Sequence, residues 1–191
     1  MLKQIIIPMV VLATVGLLLT GCMSTAQIMS LGVPTEYAKS PAFDSKQLWR
    51  TVVLPPSASS INSSSFTTGL YDYAGMALLQ TGRFTLVDRS IVDQLLTEQE
   101  FSYSGVVDQA TAVQLGKLLG AEAVMTINIG QITHDSFWDD EPAQRDATLH
   151  LKIISVETSE VLYTSMGMGY FEGAEGALRM AVEVALLGIT Q

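Results

Sequence analysis

Apolar and polar positions alternate along this chain in two rhythms, and the changes from one to the other mark its elements. Trp49 to Leu54 (Trp-Arg-Thr-Val-Val-Leu) is rich in β-formers and stops at Pro55-Pro56, where proline withdraws the backbone donor. Phe66, Leu70, Ala74, Ala77 and Leu78 fall at i, i+4, i+8, i+11 and i+12, an apolar helical stripe with Gly82 at the C-cap position. Tyr71 and Tyr73, next to that stripe, read as half-buried aromatics of the helix edge. Phe84 to Val87 is a short run of β-branched and large apolar residues between Gly82 and Asp88, which predicts a strand. Ser90 and Asp93 have capping-box spacing, and Ile91, Val92, Leu95 and Leu96 recur at the helical period, so a second helix follows. Gly105 breaks the chain, and Asp108 can cap a third helix with Ala112, Leu115, Gly116 and Leu119 on its stripe before Gly120. Gly116 on that stripe predicts close backbone approach.

The second half changes to period two. Ala123 to Ile132 sets Met125, Ile127 and Ile129 on one face and Val124, Thr126 and Asn128 on the other; Thr148 to Val156 sets Leu149, Leu151 and Ile153 inward, His150 and Lys152 outward. Glu157 to Glu160 is a turn and Val161 to Met166 a return strand, with connections expected at Thr133 to Ala147 and Gly167 to Gly176. From Ala177 to about Gly188, Leu178, Ala181, Val182, Ala185, Leu186 and Ile189 share one wide stripe that closes the core, with Arg179 and Glu183 spaced to pair at i, i+4. The predicted fold is α/β: a single domain over residues 48–191, a mixed β-sheet flanked by helices, in the order β-α-β-α-α-β-β-β-α.

Ahead of that domain, Lys3 and an uncharged run from Ile5 to Leu19 form a secretory signal too short to span a bilayer comfortably. Leu19-Thr20-Gly21-Cys22 closes it and resembles a bacterial lipobox, in which cleavage leaves the cysteine first and acylated. Residues 1–21 are therefore read as signal peptide and 22–47 as a lipidated tether, the latter without sustained periodicity and broken by Gly32, Pro34 and Pro41. Several acyl chains hold far more firmly than one, because each buried CH₂ contributes about 0.8 kcal/mol. Met23 is not the aspartate that resembles an inner-membrane retention signal, which favours the outer membrane.

Of the 191 residues, 48% are hydrophobic, as in a globular chain, and 10 basic against 19 acidic side chains give a net charge of -9. Without the leader, which carries only Lys3 among these, the balance is 9 minus 19, or -10. Such a surface repels phosphate backbones, so nucleic acid is not expected as a partner. Cys22 is the single cysteine, and no disulfide can form within the chain.

Three stretches carry a family resemblance. Gly82-Arg83-Phe84, Asp88-Arg89-Ser90, Leu95-Leu96 and Glu98-Gln99 resemble the CsgG-like family of bacterial outer-membrane lipoproteins. Leu115-Gly116-Lys117-Leu118-Leu119-Gly120-Ala121 resembles that family's Gly-Lys-Leu-Leu-Gly-Ala-Asp pattern, with Glu122 in place of aspartate. It is not a phosphate loop, since the Gly-Lys lies inside a helix and leucine follows it. Val156-Glu157-Thr158-Ser159-Glu160-Val161 is similar to the family's turn, with Ser159 in place of the turn glycine. The resemblance implies assembly or export of cell-surface material such as curli-like fibres. In channel members the loop corresponding to Ser57 to Ser65 lines the pore constriction, and Asn62 and Phe66 are the comparable residues here. Those members also insert two hairpins per subunit, each needing roughly 20 residues beyond the domain's own strands. The two connections here are fifteen and about ten residues long, and the first is acidic. The expectation is an accessory or adaptor that keeps the periplasmic domain without forming the pore, with periplasmic or outer-membrane protein partners and a homo-oligomer left open. The alternative is a regulator of a periplasmic peptidoglycan synthase, since some lipoproteins that activate such enzymes are similar to this domain.

Site chemistry is sparse. His134, Asp135, Asp139, Asp140 and Glu141 offer imidazole and oxygen donors but match neither a calcium loop nor a zinc spacing, so a solvated hairpin tip is the reading and no metal or other cofactor is expected. Phe137 and Trp138 in the same loop are candidate partner anchors, or they pack back on the sheet. No nucleophile-base or paired-carboxylate arrangement suggests an enzyme.

Overall fold

The computed structural model of the chain describes residues 36–58, 64–98, 108–134 and 144–190. Seven strands form one mixed sheet: β1 (Glu36–Lys39), β2 (Trp49–Val53), β3 (Ser57–Ala58), β4 (Phe84–Leu86), β5 (Ala123–His134), β6 (Gln144–Ser155) and β7 (Val161–Glu172). Four α-helices accompany them: α1 (Ser64–Gln80), α2 (Arg89–Glu98), α3 (Gln109–Leu118) and α4 (Ala174–Leu186). The strand order is β1-β7-β6-β5-β2-β4, with β3 pairing β5 off that path. β2 runs parallel to β4 and β5, whereas β5, β6, β7 and β1 follow one another antiparallel. The predicted α/β class and mixed sheet are therefore observed.

The period-two pattern divides the sheet as expected. On one face Met125, Ile127, Ile129, Leu149, Leu151 and Ile153 join Leu70 and Leu78 of α1 and Leu178 and Val182 of α4 in the larger core cluster. On the other, Val52, Leu54, Val124 and Ile154 pack with Val92 and Leu96 of α2 and Ala112 and Leu115 of α3. Gly116 lets α3 approach: a Cβ there would stand 2.5 Å from Val124 Cγ2 and 2.6 Å from Val156 Cγ2. Gly82, at φ 70, ends α1 as predicted, and Asp108 caps α3 by accepting from Thr111 N at 3.0 Å.

Several expectations are corrected. The end of the expected tether belongs to the sheet: Glu36–Lys39 pairs with Tyr163 to Met166, and Pro41–Ser45 forms a 3₁₀ turn that buries Phe43 completely. Four residues between prolines carry no pattern of their own; their place comes from pairing with β7 and from the stacking of Tyr37 on Tyr163 at 6.0 Å. Part of the expected serine-rich loop is also structured, with Ser57–Ala58 pairing Asn128 and Ile129 and α1 starting at Ser64. Both expected connections shrink, because β5 runs to His134, β6 starts at Gln144 and β7 pairs with β6 as far as Glu172. The Gly-Met-Gly at 167–169, read as a break, is strand: at Gly167 and Gly169 the chain lies directly against the α4 backbone. α2 is capped by Asp88, which accepts from Ser90 N at 2.8 Å, and not by Ser90. Tyr71 is buried outright and donates to Val53 O at 3.0 Å. Arg179 pairs with Glu175 at 2.5 Å and lies over Tyr73, while Glu183 accepts from the Tyr73 hydroxyl.

Candidate functional site

The segments that carry the resemblance serve as fold staples. Arg83 Nη2 donates to Lys46 O at 3.0 Å and to Phe43 O at 3.3 Å, and reaches Asp44 at 3.3 Å, so it pins the 3₁₀ turn. Its guanidinium lies 4.9 Å from the Phe43 ring centre, and Phe84 sits in the core 6.0 Å from the same ring. Arg89 pairs with Asp72 and with Asp93 and stacks 4.6 Å from the Tyr71 ring centre, tying α2 to α1; its ion pairs, with Asp72 first, raise its affinity for its proton. Glu122 accepts from Lys46 at 2.6 Å and from Arg50 N at 3.1 Å, and these bonds hold its carboxyl below the usual range. In the cleft of about 420 Å³ beside it, the Lys46 ammonium that pairs with Glu122 also lies over Trp49.

A different surface is left unsatisfied. α3 is ten residues, about 15 Å long. Beneath it run β5 and β6, twelve residues and about 40 Å each. It covers the sheet at Val124, Ile154 and Val156, and no helix among the described residues covers that face further along. What lies uncovered there is the outward row that the sequence marked as polar. The register sets Thr126 opposite Lys152 and Asn128 opposite His150, with Thr164 and Met166 next across on β7. A cleft of about 240 Å³ opens over this array, walled by Leu54 and Pro55 after β2 and by Gln109 at the start of α3. None of the side chains of Thr126, Asn128, His150 or Lys152 has a hydrogen-bond or ion-pair partner among the described residues.

Further along the same ribbon, β7 leaves Met168, Tyr170 and Phe171 at 38%, 48% and 56% exposure. The sequence reading missed them because it took this stretch for a connection. It also missed the cleft as a unit: it placed Thr126 and Asn128 on one face of β5 and His150 and Lys152 on one face of β6, but only the register joins the two.

Leu19, Thr20, Gly21, Cys22, Asn62, Asp135, Phe137, Trp138, Asp139, Asp140 and Glu141 lie outside the described residues. Phe66 and His134 are backbone positions of α1 and β5 whose side chains are likewise not described. Among the described residues no group of three or more His, Cys, Asp or Glu is placed to hold a metal, and no helix is long and apolar enough to cross a membrane.

Residues 42–135 match the family model described as curli production assembly/transport component CsgG. Over this range the chain is CsgG-like. Two of the three stretches that carry the resemblance, 82–99 and 115–122, lie inside the matched range, and the turn at 156–161 lies beyond it. No curated protein sequence matches the chain. Among solved structures, the PelC dodecamer of Paraburkholderia phytofirmans shares 9% identity at a TM-score of 0.55, over 80% of this chain and 94% of that one. Lipoprotein GNA1162 of Neisseria meningitidis shares 15% at 0.53, over 73% and 96%. E. coli LpoB shares 16% at 0.50, over 66% and 58%. At such identities the likeness is one of fold. In this CsgG-like chain the family match takes in the β5 side of the cleft, whereas His150 and Lys152 on β6 lie beyond it.

Proposed function

We propose that this chain is a lipoprotein held on the periplasmic face of the outer membrane through acylated Cys22, acting as a non-catalytic accessory in assembly or export of cell-surface material without building a pore. The family match supports the export setting, and the leader ending Leu19-Thr20-Gly21-Cys22 supports the anchor. The observation that carries the accessory role is the seam between β7 and α4. β7 pairs with β6 to Glu172 and α4 begins at Ala174, so Gly173 alone joins them. A membrane hairpin at this place needs roughly 20 residues. Leu149, Leu151 and Ile153 of β6 are committed to the core, beneath α4 and α1. An acylated chain reconstituted in planar bilayers is expected to give no stable conductance, and large stable conductance would overturn the reading. Regulation of a periplasmic peptidoglycan synthase is the alternative, and in-cell crosslinking that recovers a cell-wall synthase instead of export components would favour it.

A further inference from the structure

We propose that the cleft over β5 and β6 binds a carboxylate-bearing, extended segment of a protein partner, with Lys152 as the charged contact and Thr126, Asn128 and His150 as hydrogen-bonding groups around it.

Most of the cations of this chain are matched within it. Among the described residues Lys39, Lys46, Arg83, Arg89 and Arg179 each have a carboxylate within 4 Å. Arg50 donates to Gly120 O at 3.1 Å, and Lys117 sits in the last turn of α3, where the helix dipole favours it. Lys152 and Arg145 have neither kind of partner, although the chain carries 19 acidic residues; Arg145 stands in the Ala147–Leu149 row on the other face of β6, which leaves Lys152 as the unmatched cation of this face. Its cross-strand neighbours are Thr126 and Thr164, and its neighbour along the strand is His150. The nearest acid set by the register on this face is Glu36, which lies in the His150 row two strands away, about 10 Å at ordinary strand spacing. The register thus sets groups able to donate around this cation and no acid directly beside it.

The spacing suits a carboxylate. Side chains directly opposite on neighbouring strands stand about 5 Å apart at Cβ, and i, i+2 positions on one strand about 7 Å. Thr126, Asn128, His150 and Lys152 therefore form a compact four-cornered array. Lys brings three donors, Asn an amide, Thr a hydroxyl and His a ring N–H. Pro55, backed by buried Leu54 and Ile154, gives a small apolar surface on which the methylenes of an acidic side chain can lie. One lysine in a small cleft of a chain with net charge -9 does not attract a long phosphate polymer, which needs several cations in a row. An isolated carboxylate presented by a protein segment fits both the size and the charge.

This inference deepens the accessory reading and rests on it. The test uses the mature full-length chain, labelled with ¹⁵N, and hexaglutamate as probe. Hexaglutamate is expected to move the amide signals of Thr126, Asn128, His150 and Lys152 saturably. Binding should weaken about tenfold in K152Q, the effect of losing one charge-assisted hydrogen bond, and K152R should retain it. Hexaglutamine should move none of these signals. Absence of a localised response, equal affinity in K152Q, or equal saturation by inorganic phosphate or an oligogalacturonate would each overturn the proposal. Failure here with no bilayer conductance would remove the cleft assignment and leave the accessory reading in place.

Discussion

Gly169 offers the sharpest test of how this molecule is assembled. It lies on β7 opposite Ala147 of β6, directly beneath α4. A Cβ added there would stand 2.6 Å from Ala181 N and 2.9 Å from the Ala177 carbonyl carbon, and closer still to Ala177 O. These are backbone atoms of a helix, so no change of rotamer makes room. Heavy atoms settle near 3.5 Å, so Gly169→Ala forces α4 away from the sheet by roughly 1 Å, enough to lose a quarter to a half of each dispersion contact. Leu178, Ala181, Val182 and Ala185 all lie on that interface at 0–1% exposure. Overpacking costs about 1–3 kcal/mol, and a backbone-against-backbone clash belongs at the upper end, even after the small gain from removing a flexible glycine from the unfolded chain. At about 2–4 °C per kcal/mol, the melting temperature should fall by about 6–12 °C. Gly82→Ala is the control: at φ +70 with nothing within 4 Å of its Cβ, it meets only left-handed backbone strain, about 1–2 kcal/mol. Urea unfolding followed by circular dichroism should therefore show a larger loss for Gly169→Ala at unchanged m-value. If Gly169→Ala loses no more stability than Gly82→Ala, the close seam between β7 and α4 is not what holds the helix.

Other changes probe the turn, the core and the anchor. Ser159 is the one non-glycine among the described residues with positive φ, at 61, so Ser159→Gly should raise stability by about 0.5–1 kcal/mol in thermal melts, relief of strain outweighing the freer unfolded chain; a loss would mean that its side chain holds the turn. Tyr163 is wholly buried, donates to Ala185 O at 2.6 Å and is pushed up to about 12 by that burial. Because the folded chain keeps this proton while an unfolded tyrosine loses it near 10, the contribution is complete below pH 10 and is lost as pH rises towards 12. Tyr163→Phe should make stability fall less steeply across that window while lowering it by about 1 kcal/mol at neutral pH, as the Ala185 carbonyl loses its donor; an identical alkaline profile would reject the assignment. Cys22→Ser should shift the protein from the membrane to the soluble periplasmic fraction, and retention in the membrane would show that something other than acyl chains anchors it.

The sequence alone determined the parts of this protein whose signal is local. The period of 3.6 located four helices and the period of 2 located β5 and β6, while β2 and β4 stood out as short runs of β-formers bounded by Pro55 and by Gly82 and Asp88. Gly82, Asp108 and Gly116 were legible for the same reason: each answers to the helix it terminates or to the one surface that helix must approach. Tertiary structure decided the rest. β1 has too few residues to carry a pattern and exists only through β7 and the Tyr37–Tyr163 stack. Gly167 and Gly169 read as a break until α4 is laid across them, since a glycine that turns a chain and one that admits a helix are the same letter. The cleft was divided in the same way, two polar residues on each of two strands. The antiparallel register of β5 with β6 made them neighbours, and a short α3 left them open to whatever partner brings the missing charge.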